Sequence, residues 1–146
     1  MAIITKDTKE GHEFNGRPNK ISWERVWTFS GGPLTNSGWP KKNVHTDLEF
    51  AKECGLPSVA ASATQNQGYV VQLMIDLFGV AWLSHGTMDV RFIGLTNVED
   101  IVMPKAVVKS KEAHGNQTKY LMEVWVANQK GEKVLVGTAT GVAQGK

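Results

Sequence analysis

The chain has 146 residues, 41% of them hydrophobic and 21% charged; this is room for one domain, not two ordinary ones, and excludes a disordered tail. A formal net charge of +2 with scattered lysines leaves no footprint for nucleic acid, and no segment approaches the ~18 consecutive apolar residues of a membrane span. The single cysteine, Cys54, excludes an intramolecular disulfide, and a domain of this size buries roughly two-thirds of its extended-chain surface without one.

Met1 to Lys20 contains no apolar run of signal-peptide length, so the expected location is cytoplasmic. Ser22 to Phe29 reads as a short helix or strand leading into a loop. That loop, Ser30 to Asn43, is dense in Gly, Pro, Asn and Ser, the residues of turn chemistry, and is long enough to suggest function. Its one basic pair, Lys41-Lys42, reads as a solvated stretch. Thr46 or Asp47 then caps a short helix, Leu48 to Cys54, stopped by Gly55 and Pro57. Cys54 has no activating neighbour and reads as incidental.

From Ser58 to about Phe78 the sequence is compatible with helix for some five turns, and it leaves little polar face after Gln67. A helix apolar nearly all round is a buried one. Its polar residues, Ser62, Thr64, Gln65, Asn66 and Gln67, cluster in the N-terminal half. After Gly79 the period changes to two. Met88, Val90 and Phe92 alternate with Asp89 and Arg91; Tyr120, Met122, Val124 and Val126 with Glu123 and Trp125; Val134, Val136 and Thr138 with Leu135 and Gly137. Ile101 to Lys109 adds a further extended run. Turn clusters at His114 to Gln117 and Asn128 to Gly131 join these runs into antiparallel hairpins. One long buried helix followed by an antiparallel meander is an α+β arrangement in which the sheet wraps the helix, a hotdog fold spanning residues 1–146 as one domain. The exposed sheet edge calls for a partner, so a homodimer is expected, with Tyr120–Ala127 or Met88–Ile93 as the contacting strand.

Gly11-His12-Glu13-Phe14, Phe29-Ser30-Gly31, and Val44-His45-Thr46-Asp47-Leu48-Glu49-Phe50-Ala51 with the following Gly55-Leu56-Pro57 resemble successive motifs of MaoC-like proteins. Asp89-Val90-Arg91-Phe92, Glu99-Asp100, Gly131-Glu132 and Val136-Gly137-Thr138-Ala139 resemble the strands and turns that follow. The resemblance is in order and covers nearly the whole chain. It implies a homodimeric hotdog protein, akin to (R)-specific enoyl-thioester hydratases, acting on an acyl thioester usually carried by coenzyme A. No separate cofactor is implied. Such enzymes use an Asp and a His for general acid–base work, and a backbone amide at the start of the central helix to polarise the thioester carbonyl.

Carried onto this chain, the histidine is His45. The helix-start amide falls at Ala63, where the family has Gly, and Ser62 replaces the preceding His or Gln. The aspartate does not carry over: its position is Gly32 counted from Phe29-Ser30-Gly31, or Pro40 counted back from His45. No carboxylate stands between Glu24 and Asp47, and the loop is longer than the family's usual one. Asn36, Ser37 and Asn43 are expected to line the pocket and hold a water without deprotonating it. Asp47 is expected beside the site as a helix cap, with Gln65 and Asn66 flanking a tunnel along the central helix.

The preferred reading is a lyase-type enzyme, a hydratase or dehydratase on an acyl thioester or a similar unsaturated or hydroxy substrate, using His45 without the usual Asp. The alternative is a noncatalytic hotdog subunit, or acyl-binding partner, of a hetero-oligomer. A hotdog thioesterase would place a carboxylate near the central helix, and Ser58 to Gln67 has none. His12, His85 and His114 fall in turn contexts. The four histidines show no metal-ligand spacing with cysteine or carboxylates, so no metal is expected. The five tryptophans read as core and interface filling.

Overall fold

The computed structural model describes residues 3–31 and 43–144. The elements run β1 (Glu13–Asn15), β2 (Asn19–Lys20), α1 (Trp23–Phe29), α2 (Leu48–Glu53), α3 (Ala63–Phe78), α4 (Trp82–His85), β3 (Thr87–Phe92), β4 (Ile101–His114), β5 (Gln117–Ala127) and β6 (Lys133–Gln144). The antiparallel sheet has the order β1-β4-β5-β6-β3, with β2 added to β4. It wraps α3, and the chain has the hotdog fold its periodicities imply.

The meander is built from the expected alternation. Tyr120, Met122, Val124 and Val126 of β5 are fully buried, as are Val102 and Ala106 of β4. Against them α3 sets Val70, Leu73, Met74, Leu77 and Phe78, a stripe at helical spacing in which each large side chain contributes roughly 1.5–3 kcal/mol of burial. A register shift between Val108 and Ser110 interrupts the β4–β5 ladder, the kind of bulge that bends and twists a strand. On β6 the face turned to the helix is made of small residues beyond Leu135. Leu135, Ala139 and Ala143 are buried there, and Gly141 lies so close to Phe78 that a Cβ would stand 2.6 Å from its ring. The N-terminal segment closes one end of the core. Ile3 and Ile4 donate their amides to the Leu77 carbonyl, and the Tyr120 hydroxyl donates to the Thr5 carbonyl at 2.8 Å. Burial pushes that phenol's pKa up.

Three expectations are corrected. The central helix starts at Ala63 rather than Ser58, because Val59–Ala61 runs extended: Ala60 bridges Asn97, and the Ala61 amide donates to the Thr96 carbonyl at 2.8 Å. The helix is not buried all round, since Thr64, Gly68 and Gln72 form an exposed stripe at i, i+4 and i+8. The strand Tyr120–Ala127 is not a sheet edge to which a partner strand can add, because β5 pairs with β4 on one side and β6 on the other. Met88–Ile93 stays available: β3 is the terminal strand of the sheet order.

The readings of the two short helices stand, while those of two turn histidines do not, His114 being the last residue of β4. Residues 23–29 are helical, with Ser22 as the N-cap accepting from the Arg25 amide. Asp47, not Thr46, caps α2, and Gly55 takes the left-handed φ of 82° just beyond its end, where glycine carries no Cβ penalty. His85 sits in the last turn of α4 rather than in an open turn.

Two glycines, Gly141 facing the helix and Gly68 on its exposed stripe, predict opposite stability changes. Gly141→Val should destabilise the protein by about 1–3 kcal/mol through overpacking against Phe78. Gly68→Ala, on the open side of α3 with nothing within 4 Å of the new Cβ, should stabilise it by about 0.5–1 kcal/mol. Urea unfolding of the two variants measures both.

Candidate active site

His45 lies on the segment that follows the loop and is half-buried. Its backbone amide donates to the Asn43 side-chain oxygen at 2.9 Å, so Asn43 shapes the turn that presents it. The imidazole Nδ1 lies 2.7 Å from the Ala60 carbonyl oxygen. A carbonyl only accepts, so Nδ1 carries the proton, and in the neutral ring the lone pair is on Nε2. Among the described residues Nε2 makes no hydrogen bond. Ala60 is held from both directions, since its own amide donates to the Val44 carbonyl at 3.1 Å. The strand-like piece Val59–Ala61 is thus clamped between the His45 segment and residues 96–98.

Two residues beyond Ala60, Ser62 caps α3 without a side-chain bond to the helix amides. Its hydroxyl pairs with that of Thr64 at 2.8 Å, and its carbonyl accepts from the Gln65 amide. The amides of Ala63 and Thr64 therefore have no protein acceptor among the described residues, and both residues are exposed. Unspent N–H groups at the start of a helix carry partial positive charge and bind developing negative charge. From the carbonyl that anchors His45 to the Ser62–Ala63 amides is no more than about 7–10 Å of extended chain.

The other expected site residues divide. Asp47 is engaged as the cap of α2, accepting from the Phe50 amide at 2.9 Å. Asn66 is buried and donates to the Thr96 hydroxyl at 2.8 Å, which ties the first turn of α3 to the segment bridging Ala60. Gln65 borders a cavity of about 710 Å³ that extends along α3 as far as Asp76, roughly 16 Å of helix. Of the residues expected in the pocket, Gln65 alone of the described ones lines this cavity. Asn36 and Ser37, the two aspartate-equivalent positions Gly32 and Pro40, and the Lys41-Lys42 pair lie outside the described residues.

The sequence reading missed the opposite wall. Arg25 and Phe29, four apart on one face of α1, line the cavity, as do Arg17 from the β1–β2 turn and Tyr69 from α3. The helical spacing Gln65/Tyr69 and Arg25/Phe29 was the available signal. Glu24 also lines it; its own backbone amide and the Ser22 hydroxyl hold its carboxyl below the usual carboxylate range, so it is ionised near neutrality. Among the described residues no cluster of three or more His, Cys, Asp or Glu stands ready for a metal, and no helix is long and apolar enough to cross a membrane.

The sequence matches no protein-family model and no curated protein. Solved structures do match. A MaoC-like dehydratase from Rhodospirillum rubrum superposes with a TM-score of 0.75 at 17% identity, over 97% of this chain and 96% of that one. The (R)-hydratase PhaJ1 from Pseudomonas aeruginosa gives 0.73 at 17%, over 96% and 84%. A chain of the ChsH1–ChsH2 complex from Mycobacterium tuberculosis gives 0.70 at 13%, over 94% and 98%. The chain thus has the hotdog fold in the form found in MaoC-like dehydratases and (R)-hydratases, along essentially its full length.

The His45 tautomer is open to direct measurement. Long-range ¹H–¹⁵N correlation of the neutral imidazole should give a protonated Nδ1 and an unprotonated Nε2. The reverse pattern would mean that the bond to Ala60 does not form.

Proposed function

We propose that this protein is a lyase of the hydratase–dehydratase type acting on an acyl thioester, with His45 as its acid–base group. The single observation carrying this reading is the bond from His45 Nδ1 to the Ala60 carbonyl. It directs an unprotonated nitrogen outward beside a helix start whose first amides are unspent. In the hydration direction, Nε2 takes a proton from water as the water oxygen bonds to the β-carbon of an enoyl thioester. The carbonyl oxygen gains charge and is met by the Ala63 and Thr64 amides. Imidazolium then returns the proton to the α-carbon, and the product is the 3-hydroxyacyl thioester. Dehydration reverses each step. Positioned donors of this kind contribute about 10²–10³ in rate, and a positioned base about 10²–10⁴.

A second reading, a noncatalytic hotdog subunit, is favoured by one fact. The stretch between Glu24 and Asp47 has no carboxylate, and Asp47 is occupied in capping. The ChsH1–ChsH2 complex shares the fold, which supports keeping a hetero-oligomer in view.

We further propose assembly into a dimer through β3. Among the described residues its outer edge is unpaired, and Phe92, Ile93 and Leu95 beside it are 44%, 56% and 56% exposed, a run of large apolar side chains at a sheet edge that a monomer leaves as an aggregation hazard.

Two measurements test these proposals. Hydration of crotonyl-CoA should be detectable but slow, well below ~10 s⁻¹, and His45→Ala should lower it by at least about 10² without changing the circular dichroism spectrum. A wild type inert towards enoyl thioesters decides for the noncatalytic subunit, and an active wild type whose rate His45→Ala leaves unchanged takes His45 out of the chemistry. Sedimentation velocity at micromolar concentration should give a dimer, and Ile93→Glu should shift it to monomer; a monomeric wild type rejects the β3 interface.

A further inference from the structure

The cavity along α3 carries a feature that a plain hydrocarbon chain does not use. Gln65 is only 5% exposed, and its side-chain Oε1 has no hydrogen-bond partner. Its Nε2 lies 2.9 Å from the Tyr69 hydroxyl, and both residues line the cavity. When Nε2 donates to the phenol oxygen, the phenol proton is left unspent. With the amide reversed, Oε1 accepts that proton and the Nε2 hydrogens are unspent. In either arrangement a buried polar atom is orphaned and a donor remains over, in a wall where an unsatisfied group costs about 1–3 kcal/mol.

The cationic side of the cavity has the same character. Arg17 and Arg25 both line it, and among the described residues neither is in an ion pair. The carboxylates on the same walls are already engaged. Glu24 is bonded by its own amide and Ser22, and Asp76 accepts from Gln72 Nε2 at 3.0 Å. Two guanidinium and two carboxylate groups thus balance in charge on these walls, and the hydrogen-bonding capacity left over is that of the arginine N–H donors.

We infer that the acyl group this cavity takes carries a second oxygen acceptor, a hydroxyl or a carboxylate, received by the Gln65–Tyr69 pair. The inference rests on the acyl-thioester reading and adds to it the class of acyl chain. Gln65 and Tyr69 lie about 3 and 9 Å of helix rise beyond Ala63. With the thioester carbonyl at the Ala63 amide, a six-carbon chain brings its distal oxygen into that interval. A hydroxyl is satisfied by the pair alone, and a carboxylate draws on Arg17 and Arg25 as well.

Calorimetric titration of the full chain with three unreactive thioesters tests this: hexanoyl-CoA, 6-hydroxyhexanoyl-CoA and adipoyl-CoA. At least one oxygenated thioester should bind about fivefold or more tighter than hexanoyl-CoA. A hydroxyl preference assigns the contact to the pair, and a larger adipoyl preference adds the arginines. Tyr69→Phe, which removes one oxygen atom, and Gln65→Met should each bring the three dissociation constants to within about twofold of one another. Equal binding of all three by the wild type, or a preference that survives both substitutions, overturns this inference and leaves the thioester reading standing. Binding of none of the three overturns both.

Discussion

Everything in this structure follows from the need to cover α3. Its buried stripe, Val70, Leu73, Met74, Leu77 and Phe78, is too wide for a flat contact with one strand pair, so three long strands curve around it. The curve is closed by size rather than by more hydrophobicity. Where β6 passes Phe78 the chain offers Gly141, flanked by Ala139 and Ala143 on the same face. A larger residue would push the helix off the sheet, and close-packed interiors tolerate such insertions poorly. The other consequence is at the helix start. The sheet covers α3 from its second turn onwards, while Ala63 and Thr64 remain exposed. The end with positive dipole and free amides is thus left uncovered by the same packing that buries the rest.

That uncovered end is held in place by backbone rather than by side chains. Val59–Ala61 leads into α3 and is paired on one side through Ala60 and Ala61 with residues 96–97, and on the other through Ala60 with Val44 and His45. Asn66 adds a buried tie from the first turn to Thr96. Its Oδ1 and that of Asn97 are buried without partners, so this junction carries polar atoms whose burial is not fully offset. A histidine bonded to such a rigid strand is positioned by the fold itself. Its ring cannot rotate without breaking the Ala60 contact, and this confines the lone pair of Nε2 to one direction.

How far this was legible in the sequence depended on whether a feature is local. The β-strand alternation, the Asp47 cap, the stop at Gly55 and the class of fold were all written in short windows, where periodicity and capping chemistry act. The beginning of α3 was not. Ser58 to Ser62 is compatible with helix, and only the distant Thr96–Val98 segment turns it into a strand, a tertiary override of propensity. The interior position of β5 was hidden for the same reason, because alternation tells which face is buried and not which edge is free. At the site, the motif pointed to His45, but its anchor is a main-chain carbonyl fifteen residues away, and backbone acceptors leave no mark in residue identity. The α1 wall of the cavity, with Arg25 and Phe29, was readable as a helical pair only once Trp23–Phe29 was known to be helix.

The stretch between Glu24 and Asp47 has no carboxylate, and Asp47, Asp76 and Glu24 are not free to stand in for one. A useful base needs a free lone pair and a position near the reacting atoms. Asp47 spends one oxygen on the Phe50 amide. Asp76 receives Gln72, roughly 20 Å of helix from the α3 start. Glu24 is stabilised as an anion by its own amide and Ser22, and hydrogen bonds to the charged form make a carboxylate a weaker base. Each is thus already engaged by a hydrogen-bond donor. His45 differs on the same criterion, because its one protein bond is made through Nδ1–H to a carbonyl. That leaves the Nε2 lone pair without a protein hydrogen bond among the described residues. Under the lyase reading proposed above, such a site suits a substrate whose α-proton is already acidic, and an oxygen acceptor held at Gln65–Tyr69 would position that chain without lending any further acid–base strength.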